Sequence, residues 1–164
     1  MVTKPEITLK AININTRLSE ETPAYSAKLY VDGEYFADVS NAGHGGCDNI
    51  HFKGGKFKRD ELESLEKRIA ATHPKHDMSQ YDMEPMDESL EVICHTLVWD
   101  HVDRKSFRSL LRRKILIVRD GKICNIKGKK TDALLTSVIA FYGESVTLNA
   151  MPFGKAWEIA KGKI

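Results

Sequence analysis

The dipeptide Asp-Gly stands twice between two alternating runs of residues, at Asp32-Gly33 and Asp120-Gly121, and it constrains this chain more than any other feature. A two-residue connection between antiparallel strands needs positive φ at both positions, which aspartate tolerates and glycine adopts freely. Tyr25 to Val31 and Glu34 to Ser40 are therefore predicted to pair as a hairpin, with Tyr30 opposite Tyr35 and Leu29 opposite Phe36. Ile115 to Arg119 and Lys122 to Ile126 form a second hairpin by the same argument. Strands that arrive in hairpins argue against parallel winding and for an α+β domain.

Ahead of the first hairpin, Glu6 to Asn15 alternates in two halves, Ile7 and Leu9, then Ile12 and Ile14. The alternation slips by one residue near Ala11, and a bulge there keeps both halves on one face. The chain thus begins as a three-stranded antiparallel β-meander. Helical patterns follow. Asp60 is placed to cap a helix, with Glu63 three residues on, and Leu62, Leu65 and Ile69 form its apolar stripe. That helix ends before Pro74, because the residue preceding proline resists the α conformation.

The strongest helical signal runs from Asp87 to Val102, where Met86, Leu90, Ile93, Cys94, Leu97, Val98 and His101 share one face. Continuing that phase would bury Arg104, Lys105 and Arg108. A break is therefore expected, with a second short helix capped by Asp103 or Ser106 and turning Phe107, Leu110 and Leu111 inward. Thr131 caps a helix through Tyr142 that stops at Gly143, and a last helix covers about Pro152 to Lys161. One domain is expected over 1–164, β-rich over 1–52 and mainly helical over 58–164, with the second hairpin near 115–126.

Between the meander and the first helix lies Asn41-Ala-Gly-His-Gly-Gly-Cys-Asp-Asn-Ile-His51. Three glycines, two histidines, a cysteine and an aspartate in one loop admit three chemistries. His44, Cys47, Asp48 and His51 approximate metal-ligand spacing, and zinc is the metal such a set would take, with His73 or His76 as an added ligand. Cys47 between two imidazoles also fits a hydrolase-type nucleophile beside glycine amides. Gly43, Gly45 and Gly46 could form a backbone nest for an anion. Against these stands the plain role of glycine in a tight turn whose polar side chains satisfy its own backbone.

Charge is segregated along the chain. Asp77 to Asp103 holds eight acids and no Lys or Arg, whereas Arg104 to Lys130 holds eleven basic residues and one acid. Arg104, Lys105, Arg108, Arg112, Arg113 and Lys114, with Lys127, Lys129 and Lys130, form a basic surface suited to phosphate backbones. The aromatic Phe107 is assigned to the core, so stacking of unpaired bases on this segment is poorly supported. Asp82, Glu84, Asp87, Glu88 and Glu91 form an acidic surface that could occupy a basic groove on another protein, or the two blocks could neutralise each other. No apolar run reaches the roughly 20 residues of a membrane span, so no membrane partner is expected. Three widely spaced cysteines and no apolar leader suggest reduced thiols in a cytoplasm.

The Asp32-Gly33 hairpin running into Ser40-Asn41-Ala-Gly-His-Gly-Gly46, and the tail Leu148-Asn-Ala-Met-Pro-Phe-Gly-Lys-Ala156, resemble uncharacterised small proteins encoded by bacteriophages and prophages. The resemblance covers about a fifth of the chain and assigns no site residue. It implies a phage-type protein in a bacterial cytoplasm, of a kind that binds host machinery, as anti-CRISPR and other anti-defence inhibitors do. With the charge map, the expectation is a non-enzymatic inhibitor of a host protein or nucleoprotein complex. The alternatives are a metal or Cys/His enzyme centred on the 41–51 loop, and a nucleic-acid-binding protein using residues 104–130.

Overall fold

The structure is a computed structural model that describes residues 2–55, 58–79 and 82–163. It is an α+β chain: a four-stranded antiparallel sheet, then helices, then a two-stranded hairpin and further helices. The sheet has the order β1 (Ile7–Ile14), β2 (Tyr25–Val31), β3 (Glu34–Asn41) and β4 (Asn49–Phe52). Helices α1 (Arg59–Thr72) and α2 (Leu90–Arg113) follow. The hairpin β5 (Ile115–Arg119) and β6 (Lys122–Ile126) leads to α3 (Asp132–Tyr142), a 3-10 turn at Leu148–Ala150 and α4 (Phe153–Ala160). Two compact units divide the chain, Met1–Asp100 and His101–Ile164. The boundary falls inside α2.

In the first unit the turn and the bulge both form where expected. Asp32 and Gly33 take φ of 52° and 84°, and Tyr30 pairs with Tyr35, the rings edge-on at 5.8 Å. The β1–β2 register shifts between Lys10 and Asn13, with Ala11 at φ 51°. Ile7, Leu9, Ile12 and Ile14 consequently all pack on the core around Leu29, Val39, Ile69 and Val98. One register differs from expectation: Leu29 lies opposite Ala37, not Phe36, because β2–β3 also slips between Leu29 and Tyr30. Phe36 instead meets Phe52 edge-on at 5.3 Å. Phe52 belongs to β4, a strand not expected from the sequence. Its four residues carry only Ile50 and Phe52 as an alternating pair, too short a pattern to register against the glycines before it.

Asp32 does more than turn the chain. Its carboxylate accepts the Glu6 amide at 2.9 Å and the Arg68 guanidinium at 2.8 Å. Those two partners hold the carboxyl below its usual range, the backbone amide contributing most. The turn thereby tethers the start of β1 and the middle of α1. That helix begins one residue before the expected cap: Lys58 is its N-cap and provides no side-chain bond. Asp60 lies within the first turn, where a negative charge favours the helix dipole. Its far end is as expected, with His73 extended before Pro74.

The predicted break in α2 is absent, and one 24-residue helix runs through Asp103. The change of phase is nevertheless real. Leu90, Cys94 and Val98 are buried in the first unit's core, whereas Phe107 joins Leu116, Leu148 and Trp157 in the second unit. A helix whose buried face rotates along its length needs no new cap. At the other end the helix starts at Leu90, so Met86 lies outside it, 47% exposed and bridged to His76.

In the second unit, Asp120 and Gly121 take φ of 50° and 72°, closing β5–β6 as expected. Thr131 accepts the Leu134 amide as the N-cap of α3, and Gly143 ends that helix at φ 91°. Leu134, Leu135 and Val138 press α3 onto Ile115 and Ile117. Pro152 is the N-cap of α4, just outside the helix it was expected to begin.

Candidate functional site

With β4 in place, the glycine loop contracts to residues 42–48 at the tip of the β3–β4 hairpin. Asn41, 5% exposed, organises it. Its Oδ1 accepts the Gly43 amide at 2.8 Å and the Thr22 hydroxyl at 3.0 Å, while its Nδ2 donates to the Gly46 carbonyl at 2.8 Å and to Asp48 at 3.0 Å. The Gly43 carbonyl in turn accepts amides from Glu20, Glu21 and Thr22. The Gly45 amide donates to the Thr22 hydroxyl. Two of the three amides proposed for an anion nest are thus already bonded within the chain. The Glu21 carboxylate also occupies the space a side chain on Gly45 would fill. The nest is therefore partly filled by the chain's own groups, with one carboxylate standing beside it.

Gly43 is the position that tolerates least. It holds φ 92°, and a β-carbon there would collide with the Leu18 carbonyl oxygen and with Ala24. Gly43→Ala is expected to cost about 2 kcal/mol or more. Urea unfolding followed by circular dichroism checks this, and a loss below roughly 0.5 kcal/mol would show that the loop relaxes freely.

The loop's polar side chains do not converge. His44 pairs outward with Glu20 at 3.1 Å, and Cys47 is exposed. His51 lies on β4 between Ile50 and Phe52, so the pleat turns it to solvent. Asp48 turns the other way, its side chain 3% exposed. Among the described residues no three His, Cys, Asp or Glu side chains are set to hold a metal ion. His73 bonds to the Ile69 carbonyl and His76 to Glu88, so neither completes a zinc set here.

What the structure does bring together is a buried cluster on Asp48. The Tyr25 hydroxyl donates to its carboxylate at 2.6 Å, opposite the Asn41 bond, and His95 Nε2 stands 3.8 Å away. The Asp48 amide donates to the Glu91 carboxylate at 3.3 Å. The Leu90 amide, an orphan donor at the start of α2, is taken up by Glu66 from α1. Burial first, and then the Asp48 bond, hold the Tyr25 hydroxyl firmly protonated. Burial also pushes the Cys94 thiol up to about 12, reinforced by the charges of Asp48, Glu66 and Glu91. Burial raises the Glu66 carboxyl above its usual range. A hydroxyl and a thiol held protonated, as at Tyr25 and Cys94, are poor nucleophiles.

Sequence reasoning placed Asp48 in a ligand set and left Tyr25 and His95 out. The available signal was position: Tyr25 opens a core strand, and His95 follows Cys94 on the face of α2 nearest the loop. The two thiols separate the readings experimentally. With iodoacetamide at pH 8, Cys47 should alkylate within minutes while Cys94 stays unmodified until the chain is denatured. Peptide mass mapping reads this directly, and equal labelling would contradict the packing of Cys94.

The acidic surface is less continuous than the sequence suggests. Asp87 pairs with Lys75 at 2.9 Å, Glu88 with His76 at 2.8 Å, and Glu91 serves the Asp48 amide. Asp82 and Glu84 remain exposed. Within the basic set, some members are used internally. Arg108 lies over the Phe153 ring at 4.4 Å, and Arg104 over Trp157 at 5.5 Å. Lys130 donates to the Leu111 carbonyl at 2.7 Å, and Arg113 Nε to the Ser109 carbonyl at 3.4 Å.

The Lys130 bond has a geometric consequence. It ties the residue before Thr131 to the last turn of α2, the turn that carries Arg112 and Arg113. Lys105, Arg112, Lys114, Lys127 and Lys129 are exposed, and among the described residues of the second unit no carboxylate pairs with them. The unit His101–Ile164 carries 14 Lys or Arg against five Asp or Glu, a net charge of +9, and Met1–Asp100 carries −7. The charge boundary in the sequence, between Asp103 and Arg104, lies three residues from the structural one. The same unit exposes two aromatic rings at the end of α3: Phe141 at 81% and Tyr142 at 39%, edge-on at 4.8 Å.

Among the described residues, no helix is long and apolar enough to cross a membrane. Compared with protein-family models, with curated proteins and with solved structures, the chain matches none.

Proposed function

We propose that this chain is a non-enzymatic binding protein that inhibits a host nucleoprotein complex in a bacterial cytoplasm, with its basic C-terminal unit contacting phosphate. The observation that carries the reading is the division of charge, +9 on His101–Ile164 against −7 on Met1–Asp100. Lys105, Arg112, Lys114, Lys127 and Lys129, exposed and without carboxylate partners among the described residues of their unit, keep their full field for an external polyanion. The resemblance of the first hairpin and the 148–156 tail to phage and prophage proteins supplies the context of host inhibition. The loop supports the reading in a different way: its donors and acceptors are used to hold β2, β3 and α2 together, which is what a rigid display scaffold requires.

Affinity capture from bacterial lysate tests this, with and without nuclease, using the wild type and a variant with Lys105, Arg112, Lys114, Lys127 and Lys129 changed to Glu. The wild type should retain a nucleic-acid-containing complex that the variant and the nuclease-treated sample lose. Capture indifferent to both treatments would refute the role of phosphate.

A further inference from the structure

The basic cluster explains attraction to any polyanion, but not the two exposed rings that share its unit. Phe141 is 81% exposed, the most exposed large hydrophobic side chain among the described residues, and Tyr142 meets it edge-on with an interplanar angle of 74°. Their helix is already anchored by Leu134, Leu135 and Val138, so the rings are not required to complete that core. Exposed single apolar residues are common on protein surfaces and need no explanation. A phenyl ring this exposed, in contact with a second ring, in a unit of net charge +9, is a narrower case.

Building on the proposed contact with phosphate, we infer that the C-terminal unit prefers single-stranded nucleic acid, whose unpaired bases stack on Phe141 and Tyr142 while its backbone follows the cationic residues before α3. The placement of charge and rings along α3 favours this occupant over others. Lys127 and Lys129 directly precede the Thr131 cap of α3, and Phe141 lies ten residues further on. At 1.5 Å per residue the helix spaces these features by about 15 Å, a few nucleotides of an extended strand. A charged backbone with flat apolar bases is the ligand that uses both cationic side chains and exposed rings. A duplex hides its bases and can use only the first.

The inference concerns bases and not phosphate, so its test separates the two. Fluorescence anisotropy would compare a 15-nucleotide oligo(U), oligo(dT) and a 15-base-pair duplex across salt concentrations, with wild type, Phe141→Ala and Tyr142→Ala. The single strands should bind more tightly than the duplex. Each substitution should weaken single-strand binding roughly 5- to 100-fold, leaving duplex affinity and the salt slope unchanged, since stacking releases no counterions. Ultraviolet crosslinking to oligo(dT) should map to Phe141 or Tyr142. Both rings are on the surface and alanine is a good helix former, so the variants keep their fold. Equal affinity for single strand and duplex with silent ring variants would overturn this inference while leaving phosphate binding intact. Absence of binding to every nucleic acid at 50 mM salt would overturn both. If Phe141→Ala alters the sedimentation of the protein alone, the rings cover a self-contact and the inference fails.

Discussion

Asp48→Ala is expected to destabilise the N-terminal unit by about 3 kcal/mol or more, a larger loss than any other single substitution in the 41–51 loop should cause. The carboxylate is nearly fully buried and takes hydrogen bonds from the Tyr25 hydroxyl and the Asn41 amide, with His95 at 3.8 Å. Its removal orphans the Tyr25 hydroxyl in the interior and leaves the Asn41 amide one partner short. Each buried orphan costs about 1–3 kcal/mol. Tyr25→Phe removes one donor and leaves the carboxylate its other partner, so about 1–2 kcal/mol is expected. The double variant should cost less than the sum, because the two share one bond. Hydrogen exchange on β2 and β3 locates the loss in the first unit, and exchange unchanged there by Asp48→Ala would show that the carboxylate is solvated. Activity of a metal or thiol enzyme would respond instead to Cys47 and His44, which lie outside this cluster.

Much of this was legible in the sequence where local chemistry decides. The two Asp-Gly turns, the slip at Ala11 and the Thr131 and Gly143 caps depend on residues within a few positions of each other, and each is observed. The features that were missed depend on partners distant in the chain. The bulge that puts Ala37 opposite Leu29 accompanies the packing of Phe36 on Phe52, from a strand too short to announce itself. The continuity of α2 through Asp103 reflects burial in two different cores, which a single helical stripe cannot reveal. The loop shows the same limit most clearly. Its residue types suggested a ligand set, but the β4 pleat sends His51 outward and the Tyr25 and Asn41 bonds turn Asp48 inward. Composition names candidate ligands, whereas only the partners across the sheet decide which way each one points.

The charge of the second unit sets the other large effect, on binding. Five exposed cations, Lys105, Arg112, Lys114, Lys127 and Lys129, can each neutralise one phosphate and release a counterion. The logarithm of affinity should then fall against the logarithm of salt with a slope of about −3.5 for a single strand and −4.5 for a duplex. Raising salt from 50 to 200 mM would weaken binding roughly 100- to 500-fold. Changing all five to Glu should remove that dependence and weaken binding at low salt by about 1,000-fold or more. Cys47→Ser should leave both affinity and slope unchanged. The fold of the charge variant is checked by Trp157, which is 2% exposed against Phe107 in the second unit's core, so a native emission spectrum reports an intact unit. Arg104, Arg108 and Lys130 are left in place because their contacts with Trp157, Phe153 and Leu111 hold that core. A variant that folds, loses all five charges and still binds with the same salt slope would place the binding surface elsewhere. Cys47→Ser abolishing function while the charge variant stays active would return the loop to the centre of the protein's chemistry.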